Sequence, residues 1–384
     1  MQSILKNLAE PQFLATGYKS RLQGLLDHAD VSIDGERPWD IQVHNDALYG
    51  RVFGEGSLGL GEAYMDGWWD CEHLDQFFTR VLQADLGKKI TTWSDKLFFL
   101  SAYLWNLQNR RRSPYIAKQH YNIGNDLYQQ MLDERMIYSC GYWREAKTLD
   151  EAQEAKLDLV CRKLGLQPGM RVLDIGCGWG GAARYAAENY GVEVVGITIA
   201  KEQVTMAEEV CAGLPVEIRL QDYRDINERF DRIYSLGMFE HVGFKNYRRY
   251  FEVVNRCLDD KGLFLLHSIG FKITSNRLDP WVRKYIFANS ITPSVKLIGE
   301  ASEGLLIMED WHNFRHDYDR TLLEWHGKFN QNWANLENNY DERFRRMWNF
   351  YLLGAAGTFR SCRSQLWQIV FSKSGLKQGY LSIR

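Results

Sequence analysis

The pattern of apolar and polar positions changes character near Thr148. From there, short runs rich in Val, Ile and Leu alternate with segments of helical period: RVLDIG, a glycine-rich turn opening a helix, VEVVGIT, a helix near 201–212, VEIRL, DRIYSLG, a helix near 245–258, and GLFLLHS. Strands alternating with helices in this way predict parallel βαβ units, hence an open, doubly wound α/β sheet with its ligand at the carboxyl edge. Just ahead, Thr148 followed by Glu151 is a capping-box signature, and Leu157, Val160, Cys161 and Leu164 recur at helical spacing until Gly165. Beyond about residue 270 the pattern blurs. Two helices near 318–334 and 340–360 and a strand QLWQIVFS are expected to complete the domain.

The first hundred residues read differently, as a small α+β unit. IDGERPWDIQVHN places turn residues around a short alternating strand, and SLGLGEAYMDGWWD is rich in Gly and Trp. Lys96 to Arg112, KLFFLSAYLWNLQNRRR, is an apolar stretch ending in three arginines and too short to span a bilayer. Two readings stay open: a buried helix whose C-terminus favours cations, or a surface helix whose apolar side and Arg110, Arg111 and Arg112 touch anionic lipid.

Composition narrows the classes. A chain of 384 residues, 45% hydrophobic and 25% charged, can build a substantial core, which excludes a disordered tail or a disulfide-stapled miniprotein. A net charge of −2 supplies no general field for nucleic acid, and no such partner is expected. The seven cysteines form neither an even framework nor paired ligand spacings, so reduced thiols, no metal and a cytoplasmic setting are expected. MQSILKNLAE has no apolar segment before a small-residue cleavage site. Aromatics are the outlier, with 13 Trp, 20 Tyr and 19 Phe, and ring faces suit cations and flat apolar substrates as well as cores.

The segment from Leu173 to Gly181, LDIGCGWGG, follows the first strand and opens a helix. Gly176 and Gly178 allow the backbone to approach a ligand closely, a device that dinucleotide sites share. Two details favour S-adenosylmethionine. Asp174, an acid just inside the strand, suits orientation of a zwitterionic amino-acid moiety. The second strand ends in Thr198, with Gln203 following, where a dinucleotide site would have Asp or Glu for the ribose. The expected catalytic fold is therefore that of class I S-adenosylmethionine methyltransferases, beside a smaller N-terminal α+β domain.

Residues 117–384 resemble the cyclopropane-fatty-acid synthase family through HYNIGNDLY, IYSCGYW, LDIGCGWGG, GITIAKEQ, LQDYRD, GMFEHVG, LLHSIG and MEDWHNF, in the family's order. The block GSLGLGEAYMDGWW resembles its bacterial, phospholipid-acting branch. Carried over position by position, the resemblance implies cofactor contacts from Tyr138, Ser139, Gly176, Gly178, Thr198, Gln203 and Asp222. It also implies a bound bicarbonate as proton acceptor, cradled by Cys140, Glu240, His267, Ile269 and Tyr318.

This set is chemically reasonable. Methylating an alkene leaves a carbocation, which a bare carboxylate would trap as an ester and water as an alcohol. The amides of Cys140 and Ile269, the Tyr318 hydroxyl and His267 can donate to an anion, whereas ionised Glu240 can accept its hydroxyl and fix the histidine. Cys140 is expected to act through its backbone and not as a nucleophile. Because the fourth and fifth strand ends are neighbours in this topology, Glu240 and His267 should face one site. His312, His316 and His326 have no such support and are expected to be surface or core residues.

The resemblance thus implies a synthase that adds a methylene across a cis double bond of a phospholipid acyl chain. Its expected setting is a homodimer peripheral to the inner face of the cell membrane. The expected organisation is a lipid-docking and dimer domain at 1–108, a linker at 109–119 and the catalytic domain at 120–384. Two alternatives remain: a methyltransferase that stops before ring closure or acts on a polar small molecule, and a lipid-binding module without turnover. A proton-acceptor set argues against the last, since binding needs no base.

Overall fold

The computed structural model describes residues 11–86, 124–275, 278–287 and 290–384. The segment 96–112 and the expected linker at 109–119 lie outside the described residues. Contacts divide the chain into two compact units. One runs to Gly124 and also takes in Asp279–Ala288 and Asn330–Ser361; the other comprises Asn125–Leu278, Asn289–Phe329 and Cys362–Arg384. Two segments that the linear boundary assigned to the catalytic domain therefore pack with the N-terminal unit.

In the N-terminal unit, Gln42–Val43 pairs antiparallel with Trp69–Asp70, among helices at Ala47–Glu55, Ser57–Met65, Leu74–Ala84, Pro280–Tyr285 and Glu342–Arg360. The SLGLGEAYM block is helical despite Gly59 and Gly61, which cost helix propensity but let other chain segments close on it. A Cβ at Gly61 would lie 2.4 Å from the Trp281 indole. Glu62, buried on that helix, accepts from Arg51 (2.5 Å), Lys284 (2.6 Å) and Tyr285 (2.8 Å), which hold its carboxyl below its ordinary range despite burial.

In the second unit, α1 (Asn125–Met131) and α2 (Leu149–Lys163) precede the sheet. The sheet elements follow as β1 (Arg171–Ile175), α3 (Gly181–Tyr190), β2 (Glu193–Thr198), α4 (Lys201–Val210), β3 (Val216–Leu220), β4 (Phe230–Leu236), α5 (Tyr247–Cys257) and β5 (Leu258–Phe271). Next come α6 (Val295–Ser302), β6 (Ile307–Asn313), α7 (Arg315–Gln331) and β7 (Ser364–Ser372). The strand order is β3-β2-β1-β4-β5-β7-β6. The first five strands are parallel, and β7 runs antiparallel to both β5 and β6. The expected doubly wound sheet is present, and its strand order reverses at β1 and β4, which opens a crevice at their carboxyl ends.

Alternation along the strands sorts the core into two faces. Phe264, Leu266, Ile369 and Phe371 pack with Tyr250, Phe251 and Val254 of α5. Val172, Tyr234, Leu263, Leu265 and Val370 pack with Val160 of α2 and Leu164 at its C-cap, and with Ala183 and Ala186 of α3. The capping box forms at the start of α2: Thr148 accepts from the Glu151 amide, and Glu151 accepts from the Thr148 amide. Strand β6, which overlaps MEDWHNF, escaped the pattern. Its exposed Ile307 and Met308 and a register shift between Met308 and Asp310 break the alternation.

Candidate active site

The turn after β1 is built from left-handed glycines: Gly176 at φ +89°, Gly178 at +54° and Gly180 at +83°. The Gly176 and Cys177 amides donate to the Ile197 carbonyl of β2 (3.0 Å each), which pins the turn to the neighbouring strand. A Cβ at Gly176 would press on Met238 at 2.7 Å, whereas one at Gly178 would meet nothing within 4 Å. Gly178 therefore presents bare backbone on an open side. Trp179 of the same turn donates from its indole to Asn125 Oδ1 of α1 (3.0 Å), which joins HYNIGNDLY to LDIGCGWGG.

At the end of β2, the Thr198 hydroxyl donates to Gln203 Oε1 (2.8 Å), so these two expected cofactor residues are brought together. Ile199 beside them is 77% exposed. Asp222, at the end of β3, is turned aside: Arg224 donates to it from its backbone and its guanidinium at 2.6–2.9 Å and lowers its pKa.

Asp174 is buried on the α2 face of β1, with Tyr234 opposite it in register on β4. Burial lifts its carboxyl to about 7, against the favourable influence of Tyr234 and Lys156, and Oδ2 has no hydrogen-bond partner. Helix α2 supplies polar groups on this same inward face. Gln153 donates to the Ser139 carbonyl (2.8 Å), and Lys156 donates to the Ser139 hydroxyl (2.9 Å). Lys156 is wholly buried and its pKa falls to about 8 through desolvation. The IYSCGYW loop is held from the other side by Thr321 of α7, which accepts from the Gly141 amide (3.1 Å) and the Trp143 indole (2.9 Å).

Cys140, in this loop, is fully buried, its thiol donates to the Gly141 carbonyl (3.1 Å), and burial drives its pKa up. Burial thus keeps the thiol protonated, the unreactive form.

Glu240 lies on a single helical turn, Phe239–His241, just after β4. Its Oε1 accepts the Ile269 amide at 2.6 Å, while its buried Oε2 has no partner. Burial raises its pKa to about 7. Two details differ from expectation here. The Ile269 amide, expected to donate to an anion, donates to Glu240, because the carboxyl lies alongside the end of β5. The residue that fixes His267 is also not Glu240 but Gln368 of β7, whose amide nitrogen lies 3.4 Å from His267 Nδ1. His267 has no exposed surface, its Nε2 has no partner, and desolvation together with Lys156 and Lys163 drives its pKa well below the ordinary value.

Tyr318, buried in the first turns of α7, meets Trp325 edge to face at 5.9 Å. From there a chain of rings continues through Tyr138 (5.0 Å), Tyr128 (5.1 Å) and Trp179 (4.9 Å), joining the expected proton-acceptor residue Tyr318 to the glycine turn. Part of the aromatic surplus is thus one continuous wall at the site. The residues that sequence reasoning missed are Lys156, Lys163, Gln153, Thr321, Trp325 and Gln368.

Comparison with known proteins identifies the family. The family model described as mycolic acid cyclopropane synthetase matches residues 108–369. The chain is 54% identical over 356 residues to the cyclopropane-fatty-acyl-phospholipid synthase of Escherichia coli (strain K12), covering 92% of this chain and 93% of that protein. It is 35% identical to a probable fatty acid methyltransferase of Pseudomonas putida, over 87% of this chain and 86% of that one. Among solved structures, mycolic acid cyclopropane synthase CmaA1 complexed with SAH and CTAB superposes with a TM-score of 0.62 at 32% identity, covering 67% of this chain and 97% of that chain. Sheet order, glycine turn and sequence matches over most of the length converge: the chain belongs to the mycolic acid cyclopropane synthetase family, whose catalytic fold is that of class I S-adenosylmethionine methyltransferases.

Proposed function

We infer that the protein is an S-adenosylmethionine-dependent synthase that converts the cis double bond of an unsaturated phospholipid acyl chain into a cyclopropane ring, with bicarbonate as proton acceptor. The relatives support the reaction class. The observation that carries the chemistry is that two wholly buried polar atoms have no partners, Glu240 Oε2 on the turn after β4 and His267 Nε2 on the neighbouring strand β5. Buried polar atoms are nearly always paired, so such a pair points to a small polar guest.

The residues fit the cofactor. Asp174 Oδ2, buried and unpartnered, suits an ammonium; Gly178 offers open backbone; Thr198 and Gln203 offer polar groups, and Ile199 an apolar surface, to a nucleoside. Tyr138 and Ser139 stand on the loop that Gln153 and Lys156 hold. Asp222 belongs to the set only if it leaves Arg224. Bound there, S-adenosylmethionine supplies an electrophilic methyl carbon. CmaA1, solved with SAH, supports this assignment.

They fit bicarbonate as well. Glu240 can accept a hydroxyl, while neutral His267, the Tyr318 hydroxyl and the Cys140 amide can donate, so the set selects a hydrogen carbonate. Bicarbonate supplies a base that does not capture a carbocation as a fixed carboxylate would. Rings at Tyr138, Trp325 and Tyr318 stabilise positive charge without bonding to it and keep water away. Turnover in buffer stripped of carbon dioxide should fall and recover on adding bicarbonate. Unchanged turnover would remove bicarbonate from the mechanism.

Substrate chains reside in bilayers, each buried CH₂ holding them there by about 0.8 kcal/mol, so the enzyme must work at the surface. No helix of the described residues is long and apolar enough to cross a membrane. We place the protein as a peripheral homodimer at the inner face of the cell membrane, docked by its N-terminal unit and the 96–112 segment. Flotation with anionic vesicles should weaken with salt and when Arg110, Arg111 and Arg112 become Gln; equal binding in all cases would assign that segment to a buried helix.

A further inference from the structure

A polar row crosses the antiparallel side of the sheet on its α2 face. His267 of β5 stands directly opposite Gln368 of β7, which stands opposite His312 of β6. Lys163, in the last turn of α2, reaches onto this row. Its ammonium lies 2.9 Å from Gln368 Oε1 and 3.1 Å from His312 Nδ1, with the Phe314 ring at 5.3 Å. His267 and Gln368 have no exposed surface and Lys163 is 1% exposed.

Such a lysine is costly. Its hydrogen-bonding partners are neutral, and an apolar residue of similar length would fill the space without desolvating a charge. Its value lies in direction. Burial lowers the Lys163 pKa to about 7, against the opposing pull of Asp310, and in its protonated form the amine can only donate; the oxygen of the Gln368 amide then faces Lys163, from which it lies 2.9 Å, and the amide nitrogen faces His267. An amide N–H can only donate in turn, so Nδ1 of His267 must be the acceptor. The single proton of the neutral imidazole is then on Nε2, the nitrogen without a protein partner. The two nearby lysines also oppose formation of the imidazolium.

We propose that Lys163 and Gln368 are positioning residues that lock His267 in its Nε2–H tautomer, so that it presents a fixed donor to the anion at the strand ends. This rests on the proton-acceptor reading above, because the tautomer matters only if Nε2–H has an acceptor to meet. In the other tautomer Nε2 would carry a lone pair towards the anion, and its stabilisation would turn to repulsion.

The test uses the full-length protein labelled with ¹⁵N at histidine and the near-isosteric variant Gln368→Glu, whose carboxylate accepts where the amide donates. Two-bond ¹H–¹⁵N correlation spectra, with His267→Gln to assign the ring, should show the proton on Nε2 in the wild type and on Nδ1 in Gln368→Glu. Lys163→Met, which frees the amide to turn, should give a mixture and serves if the glutamate variant does not fold. Turnover should fall roughly 10²- to 10³-fold in Gln368→Glu, the loss that follows removal of one oxyanion donor, with the KM for bicarbonate raised and affinity for S-adenosylhomocysteine unchanged. A wild-type proton on Nδ1, or a tautomer indifferent to both substitutions, would overturn the relay. A tautomer that inverts without altering the dependence on bicarbonate would leave the relay in place and overturn the anion reading.

Discussion

Substituting Gly178 separates binding from folding more cleanly than any other change in the glycine turn. The residue has φ +54°, where an L side chain costs roughly 1–2 kcal/mol, yet a Cβ there meets nothing within 4 Å. Gly178→Ala should therefore lose about 1–2 kcal/mol from backbone strain alone, a fall in Tm of about 2–8 °C for a domain of this size. Gly176→Ala is the contrasting case. It carries the same kind of strain at φ +89° and adds contacts of 2.7 and 2.8 Å with Met238 Cβ and Cγ, so its loss should be clearly larger. Gly178→Val keeps the fold but fills the open side, and titration calorimetry with S-adenosylhomocysteine should register no binding. Gly178→Ala should bind detectably but more weakly than wild type. A folded Gly178→Val with wild-type affinity would refute the reasoning, because the bare backbone would then face something other than the cofactor.

Four further outcomes are expected. Glu240→Gln should cut turnover by roughly 10²- to 10⁴-fold while leaving cofactor affinity intact, as measured by lipid assay and calorimetry. In the ligand-free protein, burial raises the Glu240 pKa to about 7, so its contribution to stability is complete at acid pH and is lost as pH rises from the ordinary carboxyl range through about 7; thermal melts of Glu240→Gln should show a shallower decline over that window. Asp174, likewise lifted to about 7, must lose its proton to hold an ammonium, so affinity for S-adenosylhomocysteine should rise as pH rises through about 7, and Asp174→Asn should bind weakly without that dependence. Thr148→Ala removes the capping box at the start of α2 and should cost about 1 kcal/mol in melts, with KM for S-adenosylmethionine unchanged because Lys156 and Lys163 lie beyond the first turn.

Regular patterns in the sequence carried the sheet and the cofactor turn. Val, Ile and Leu runs marked β1 to β5, a Thr–Glu pair marked the start of α2, and the strand-end logic of an open sheet assigned Glu240 and His267 to neighbouring strands, β4 and β5. The groups that orient those residues were not legible. Lys156 and Lys163 flank the apolar stripe of Leu157, Val160 and Leu164, and a lysine at such a position ordinarily extends its charge into water. Here both ammonium groups are buried, and only the tertiary fold supplies Ser139 and Gln368 as their acceptors. The signal was present in one respect, since Gln153, Lys156, Val160 and Lys163 share a helical stripe on which polar residues sit among core positions. Gln368 lies inside a strand read only as apolar, QLWQIVFS, and its link to His267 depends on an antiparallel register that composition cannot show. Domain membership was hidden for a related reason. Asn330–Ser361 packs with the N-terminal unit through contacts such as Gly357 against Phe78, which leave no break in composition along the chain.

Ring closure on a lipid chain is what distinguishes a synthase of this kind from an ordinary lipid methyltransferase. Purified protein should be incubated with vesicles of cis-unsaturated phospholipid and S-adenosylmethionine carrying an isotopically labelled methyl group, and the acyl chains then analysed by mass spectrometry and NMR. The chains should be heavier by one labelled methylene, with the olefinic signals replaced by cyclopropane protons, as ring closure requires. A methyl-branched or methylene-branched chain, or a label found only on polar small molecules, would contradict it.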